Sequence, residues 1–316
     1  MTTPVFLTVD TELMWRHHAD GLDPAEIIQR SLEPAGVGIS YQLAMMARYG
    51  LKGCFFVDPM PALVFGLDGI RRVIETILAA GQEVQLHLHA NWAAAQAGDG
   101  GARFGKFDFA DYGADEQLAL IGGARDLLRA AGAPAPIAFR AGSYCANDDT
   151  LRALAALGFA YDSSHNGGEA TSMIGLDARQ IAPVERLGMI EVPVTVIEER
   201  PGVLRNFQIC ALSAGEMRAA LDHAALCGHA ALTIVSHGFE LANRAGTRPN
   251  NVHVRRFETL CALLAERGAF MPTSWFHERP ALRLDHHDIP LDPHRLRTSW
   301  RQAEQLWSNM IEERAA

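Results

Sequence analysis

Val5-Phe6-Leu7-Thr8-Val9-Asp10-Thr11-Glu12 is a short β-rich apolar run that stops on two carboxylates. Branched and aromatic residues without alternation suit a strand covered on both faces, and the acids mark where it reaches solvent. The pattern returns three times: in Glu83-Val84-Gln85-Leu86-His87-Leu88-His89, in Phe139-Arg140-Ala141-Gly142-Ser143-Tyr144 and in Ile234-Val235-Ser236-His237. Strand-length runs at 54–57, 137–140, 160–161, 190–196, 231–236 and 269–271 complete the set. Segments of helical period lie between them, at 33–49, 70–80, 115–131, 148–157, 215–226 and 255–267, and Gly50, Gly81 and Gly158 stop three of these. Seven or eight strands with helical crossovers predict an α/β fold, and a (β/α) barrel rather than an open sheet. In a barrel the C-terminal strand ends converge on one face, so the four polar stretches are expected to meet there. The Gly-rich, polar stretch 93–112 reads as a long loop near that face.

The 316 residues carry 28 Lys+Arg against 37 Asp+Glu, a net charge of −9, which argues against broad contact with nucleic acid or anionic lipid. With 48% hydrophobic and 21% charged residues the chain is expected to fold around a sizeable core, and no apolar run is long enough to span a membrane. Five cysteines, an odd number without CxxC spacing, read as reduced thiols rather than a disulfide frame or a zinc ribbon. The first residues lack the basic and apolar regions of a secretory signal, so a cytoplasmic location is expected. The composition shifts after residue 280. Residues 1–280 read as the catalytic barrel and 281–316 as an extension carrying an amphipathic helix over 293–313. Its stripe of Leu296, Trp300, Ala303, Leu306, Trp307 and Met310 is expected to pack on the barrel or on a second copy in a homo-oligomer.

His87 and His89, two apart on an extended strand, point to one side and can share a cation. Asp10 and Glu12 have the same spacing at another strand end. Two histidines and one carboxylate leave open positions for water and substrate, as a hydrolytic metal requires. Arg140 ends an apolar strand and needs an anionic partner, which a catalytic carboxylate would supply. His237 is aimed at the same face and reads, beside the other three stretches, as a general acid.

The order of these stretches resembles the polysaccharide deacetylase superfamily, the NodB-homology or family 4 carbohydrate esterase type, over roughly residues 4–275. The resemblance implies an irregular (β/α)7 barrel. It implies that Asp10 is the catalytic base and that Glu12, in a D-x-D/E variant with Thr11 at the usual second aspartate, is the metal carboxylate. His87 matches the first histidine of the second motif; the second would fall on Asn91, so His89 is its substitute. Arg140 would orient Asp10, a backbone N–H near Tyr144 would help form an oxyanion hole, and Gly142-Ser143 replace the proline of that motif. Asp162, in Tyr161-Asp162-Ser163-Ser164, would orient the catalytic histidine, and His237 would protonate the leaving amine.

The expected activity is therefore metal-assisted amide hydrolysis, with zinc the expected divalent ion. The substrate expected is an acylated, N-acetyl sugar or glycan precursor stacked on Trp15 and Trp92. Two other readings compete. Hydrolysis of a cyclic imide or ureide calls for a narrow, closed pocket, and a catalytically inactive glycan-binding barrel would explain the altered positions Thr11 and Asn91.

Overall fold

A computed structural model of the protein describes residues 2–96, 106–284 and 286–314. The strands are β1 (Val5–Thr11), β2 (Cys54–Val57), β3 (Glu83–Leu88), β4 (Ala138–Ala141), β5 (Tyr161–Asp162), β6 (Val184–Arg186), β7 (Met189–Glu191), β8 (Val196–Arg200), β9 (Val203–Asn206) and β10 (Leu232–His237). The helices are α1 (Trp15–Ala19), α2 (Pro24–Leu32), α3 (Ile39–Tyr49), α4 (Ala62–Phe65), α5 (Asp68–Ala79), α6 (Ala114–Ala130), α7 (Asp148–Ala156), α8 (Ala214–Cys227), α9 (Asn251–Arg267) and α10 (Arg295–Trp307).

One sheet runs in the order β10-β1-β2-β3-β4-β5-β7-β6. Its first seven strands are parallel, and β6 folds back antiparallel on β7. The outer edge of β10 is taken by the segment after β7. Thr195 N–H donates to Thr233 O, Val235 N–H to Phe207 O and Ile209 N–H to Val235 O. The sheet thus curls into a barrel, as the alternation predicts, of the irregular (β/α)7 form that the resemblance implies. β1, β2, β3 and β10 are sealed along nearly their whole length, which is why they read as unbroken apolar runs.

Two expected strands differ. Residues 269–271 do not form one. Thr3 and Val5 donate to Phe270 O and Pro272 O beside the start of β1, and Pro272 has no N–H with which to extend a ladder. The run 190–196 is broken in two at Pro193, between β7 and β8. Helix starts differ for local reasons. α9 begins at Asn251 rather than 255 because the Asn250 side chain caps it, accepting from Val252 and His253 N–H. α3 begins at Ile39 rather than 33, after a short turn at Pro34–Gly36. The expected loop 93–112 holds single turns at Ala90–Ala94 and Phe109–Asp111; its stretch 97–105 lies outside the described residues.

The apolar stripe of the extension is not what packs on the barrel. Leu296, Trp300, Leu306, Trp307 and Met310 are exposed. The helix is held instead through polar groups. Arg301 is buried between Glu199 Oε1 at 2.6 Å and Glu216 Oε1 at 3.2 Å. Arg256 reaches Glu304 at 2.9 Å, and Asn250 donates to Ser308 Oγ and Glu313 Oε1. An apolar stripe alone could not reveal that the opposite side matched a buried acidic pair on the barrel. Arg301→Ala leaves both carboxylates without that cation, at a cost of about 3 kcal/mol. Limited proteolysis is expected to remove the extension faster from this variant while the barrel stays folded. Equal cleavage rates would mean that other contacts hold the segment.

Candidate active site

Strand register brings the four stretches together. Asp10 lies opposite His237 on β10 and Phe56 on β2, and His87 lies opposite Arg140 on β4. Arg140 is wholly buried, so each of its donors needs an acceptor. Nη1 donates to Asp10 Oδ1 at 2.7 Å and to Thr8 Oγ1 at 2.8 Å, Nη2 to Ser163 Oγ at 2.9 Å and Nε to Ser163 O at 3.0 Å. The guanidinium also lies 4.4 Å from the centre of the Phe56 ring. Asp10 Oδ1 is thereby fixed, and Oδ2 faces His237 Nε2 at 3.9 Å.

Glu12, His87 and His89 gather beside this pair, with their ligand atoms within 4.8 Å of one another. Glu12 Oε2 contacts His89 Nε2 closely and stands 3.6 Å from His87 Nε2. His87 Nδ1 donates to the Arg140 carbonyl at 2.8 Å. That bond fixes the tautomer and leaves the Nε2 lone pair facing Glu12, as in histidines that ligate metals. Burial opposes charge on Glu12, yet the two imidazoles hold its carboxyl well below the usual range. Burial likewise opposes charge on His89, and Glu12, with Asp58 and Asp10 behind it, pushes the imidazole up to about 9. Asp58 Oδ2 is buried without a hydrogen-bonding partner, and burial pushes this acid up to about 6 against the pull of both histidines. One carboxylate, two imidazoles and a further orphaned carboxylate oxygen nearby fit a divalent cation. Asp58 closes β2 and reads from sequence only as a turn residue.

Gly142 has a specific reason here. A β-carbon at this position would fall on the His89 ring. The glycine that stands where the resembled motif has proline thus makes room for the His89 ring. Asn91 lines the same cavity as Glu12 and His89, and Thr11 Oγ1 turns back to donate to Val9 O at 3.2 Å.

His237 is braced by Glu240, not by Asp162. Its Nδ1 stands 3.7 Å from Glu240 Oε2, which also accepts from the His237 N–H at 3.0 Å. Burial opposes the imidazolium, but Glu240, then Asp10 and Glu12, push His237 up to about 9. Glu240 is pulled down to about 2 against its own burial, chiefly by His237. Its place three residues after His237, past the Gly238 turn, was the available sequence signal.

Asp162 is spent inside the wall, where it accepts from Ser164 Oγ at 2.7 Å beside its register partner Glu191. Burial raises both acids, and the charge of Asp162 raises Glu191 further. Ser143 and Tyr144 take left-handed backbone angles, φ 52° and 56°, strain of the kind stored at functional turns. The Tyr144 hydroxyl is buried without a partner. His165 and His277 are engaged elsewhere, with Asp177 O and Glu83.

Two adjoining cavities open over these residues. One, of about 240 Å³, is lined by Glu12, His89, Trp15 and Trp92. Trp92 is only 1% exposed; its edge-on contact with Trp15, 4.9 Å between centroids, supports that ring rather than offering a stacking face of its own. The other, of about 530 Å³, runs from His237 and Glu240 past Arg16, Arg205 and Gln208 to Gln305, Asn309 and Glu313 of the extension.

No model of a known protein family matches the chain, and no curated protein matches it in sequence. Among solved structures it is similar to a protein from Mycobacterium smegmatis provisionally assigned as a polysaccharide deacetylase. The two are 18% identical, and the match covers 91% of this chain and 95% of that one at a TM-score of 0.58. It is also similar to a 4-alpha-glucanotransferase from Thermococcus litoralis, at 10% identity and a TM-score of 0.51 over 88% of this chain and 40% of that one. The fold is the polysaccharide deacetylase barrel.

Gly142→Ala is expected to displace His89 and weaken divalent-cation binding by about tenfold or more, with the circular dichroism spectrum unchanged. Calorimetric titration with zinc measures this, and an unaltered affinity would remove His89 from the cation site.

Proposed function

We propose that the protein is a metal-dependent amidohydrolase that removes an acyl group, N-acetyl first among candidates, from a sugar or glycan precursor. One observation carries the reading. A carboxylate braced by a buried arginine, a histidine braced by a buried glutamate, and a two-histidine, one-carboxylate cluster share one end of the barrel. The fold alone would not be enough, since the same barrel is similar to a glucanotransferase as well as to a deacetylase.

Glu12, His87 and His89 would hold a divalent cation, zinc by the preference of these donors, which would supply Lewis acidity and make a water more acidic. The chain's own groups divide the proton transfers. Asp10 has one oxygen tied to Arg140, so Oδ2 accepts the proton of the attacking water. His237, charged at neutral pH beside Glu240, gives the Nε2 proton to the departing nitrogen. A backbone N–H at the Ser143-Tyr144 turn, held in its left-handed form, stabilises the developing oxyanion. Asp10 and Nε2 of His237 lie close enough to serve the two sides of one scissile bond.

The larger cavity favours a glycan over a small ring amide. Its lining of arginine, glutamine, asparagine and glutamate offers donors and acceptors to hydroxyl groups along an open groove, whereas a cyclic imide would call for a closed apolar slot. Trp15, half-buried in the adjoining smaller cavity, supplies the sugar-stacking face. The five cysteines are all free thiols, in keeping with a reducing compartment and hence a cytoplasmic, nucleotide- or lipid-linked substrate. No helix among the described residues is long and apolar enough to cross a membrane.

Asp10→Asn is expected to abolish acetate release from N-acetylated sugars while ligand binding persists, and Glu12→Ala or His87→Ala to lose about one bound ion per chain. Turnover that survives Asp10→Asn would mean that another group is the base. A parent protein that takes up no cation on reconstitution would remove the metal-assisted route.

The His237–Glu240 pair sets a second expectation. The proton-donating form of His237 is lost as pH rises through about 9, so activity should fall on an alkaline limb there. Glu240→Gln removes the charge that raises His237 and should shift the limb down by about one unit or more. The raised His237 also contributes stability that is complete below its ordinary 6.5 and lost as pH rises through 9. A pH–rate profile and a pH series of unfolding midpoints read the two effects. An alkaline limb that stays fixed in Glu240→Gln would mean that His237 is not the titrating acid.

A further inference from the structure

At the foot of the barrel, on the opposite end from the catalytic groups, α8 closes on Cys227 and β10 begins at Leu232. His223 and Cys227 are four apart in α8 and so share one helical face; His229 follows the Gly228 turn. The ligand atoms of the three residues lie within 4.8 Å of one another. We propose that His223, Cys227 and His229 form a second metal site, binding a zinc-class divalent cation through one thiolate and two imidazoles.

Three observations support it. The first is tautomeric. His223 Nε2 donates to the Ile289 carbonyl at 2.9 Å, which leaves Nδ1 as the acceptor nitrogen, 3.7 Å from Cys227 Sγ, with Nε2 3.9 Å from the same sulfur. In a tetrahedral zinc centre a nitrogen and a sulfur ligand stand about 3.6 Å apart.

The second is an unmet need. His229 is 2% exposed, and its ring nitrogens make no well-formed hydrogen bond, the one backbone group they approach being at Ile289, whose carbonyl His223 already occupies. A thiol–imidazole hydrogen bond would account for His223 and Cys227 but would leave this buried ring unsatisfied. A metal bond to His229 satisfies it.

The third is the local field. The carbonyl end of α8 favours a cation. The buried carboxylate of Asp288 stands close by, accepting from Ala230 N–H at 2.9 Å and paired with His286. Binding breaks the Cys227 S–H bond, releases that proton to solvent and forms the sulfur–metal bond. Solvent completes the coordination on the exposed Cys227 side.

The position gives the site a purpose. Residues 286–289 of the extension already lie on it through Asp288 and Ile289. A cation there fastens the start of the extension to the strand whose far end carries His237. Soft thiolate with imidazole selects zinc or cobalt over magnesium or calcium.

Cobalt(II) alone, titrated into the full chain purified without a polyhistidine tag, tests this independently of the catalytic reading. The Glu12–His87–His89 cluster contains no sulfur, so only the second site gives a thiolate-to-cobalt charge-transfer band in the near ultraviolet. The band is expected to saturate within two equivalents, since the Glu12 cluster competes for cobalt, to vanish in Cys227→Ser and to need about tenfold or more cobalt in His223→Ala. It is expected to persist in Glu12→Gln. Cys227 is exposed and His223 only partly buried, so neither substitution opens the core. Absence of the band in the parent at saturating cobalt, or its survival in Cys227→Ser, overturns the proposal.

Discussion

The buried pairing of Arg140 with Asp10 is the constraint on which the rest of the structure turns. A guanidinium removed from water is tolerable only if its donors are matched. The matching here recruits Thr8 of β1, Ser163 at the end of β5 and the ring of Phe56 on β2. Removing one partner of such a pair costs about 3–5 kcal/mol because the other is left charged and dry. The arrangement holds the barrel's central strands in register and fixes one oxygen of Asp10 in the same act. Through its own carbonyl, Arg140 also sets the ring of His87. Framework and candidate site are therefore coupled at a single residue.

Much of this was legible in the chain, and the reasons are particular. β2 and β3 were readable to the residue because both are sealed and bounded by sharp breaks: Asp58-Pro59 after one, Gly81 before the other. Asp10, Glu12, His87, His89, Arg140 and His237 were readable because a polar residue at the end of an apolar strand has only one place to go. Glu240 and Asp58 lie beyond turns, where sequence distance says little about spatial distance. Asp162 has the look of a site residue, but two serines and Glu191 occupy it. The aromatic stripe of α10 shows how amphipathic period identifies a helix without saying which side docks.

The departures from the motifs that the sequence resembles make sense together rather than singly. His89 stands two residues after His87 on extended backbone, instead of four, and reaches Glu12 only because Gly142 carries no side chain. Each change alone would damage the cluster. Jointly they keep a two-nitrogen, one-oxygen donor set by a different local route, which simple motif matching scores as loss.

The far wall of the larger cavity comes from Gln305, Asn309 and Glu313, on a segment fastened by charge pairs and amide contacts rather than by apolar area. Of its pairs, the exposed Arg244 with Glu313 is open to screening, while Arg301 is shielded. Added salt is therefore expected to loosen the rim of this cavity at Arg244 and Glu313 before it reaches the shielded pairs of Arg301.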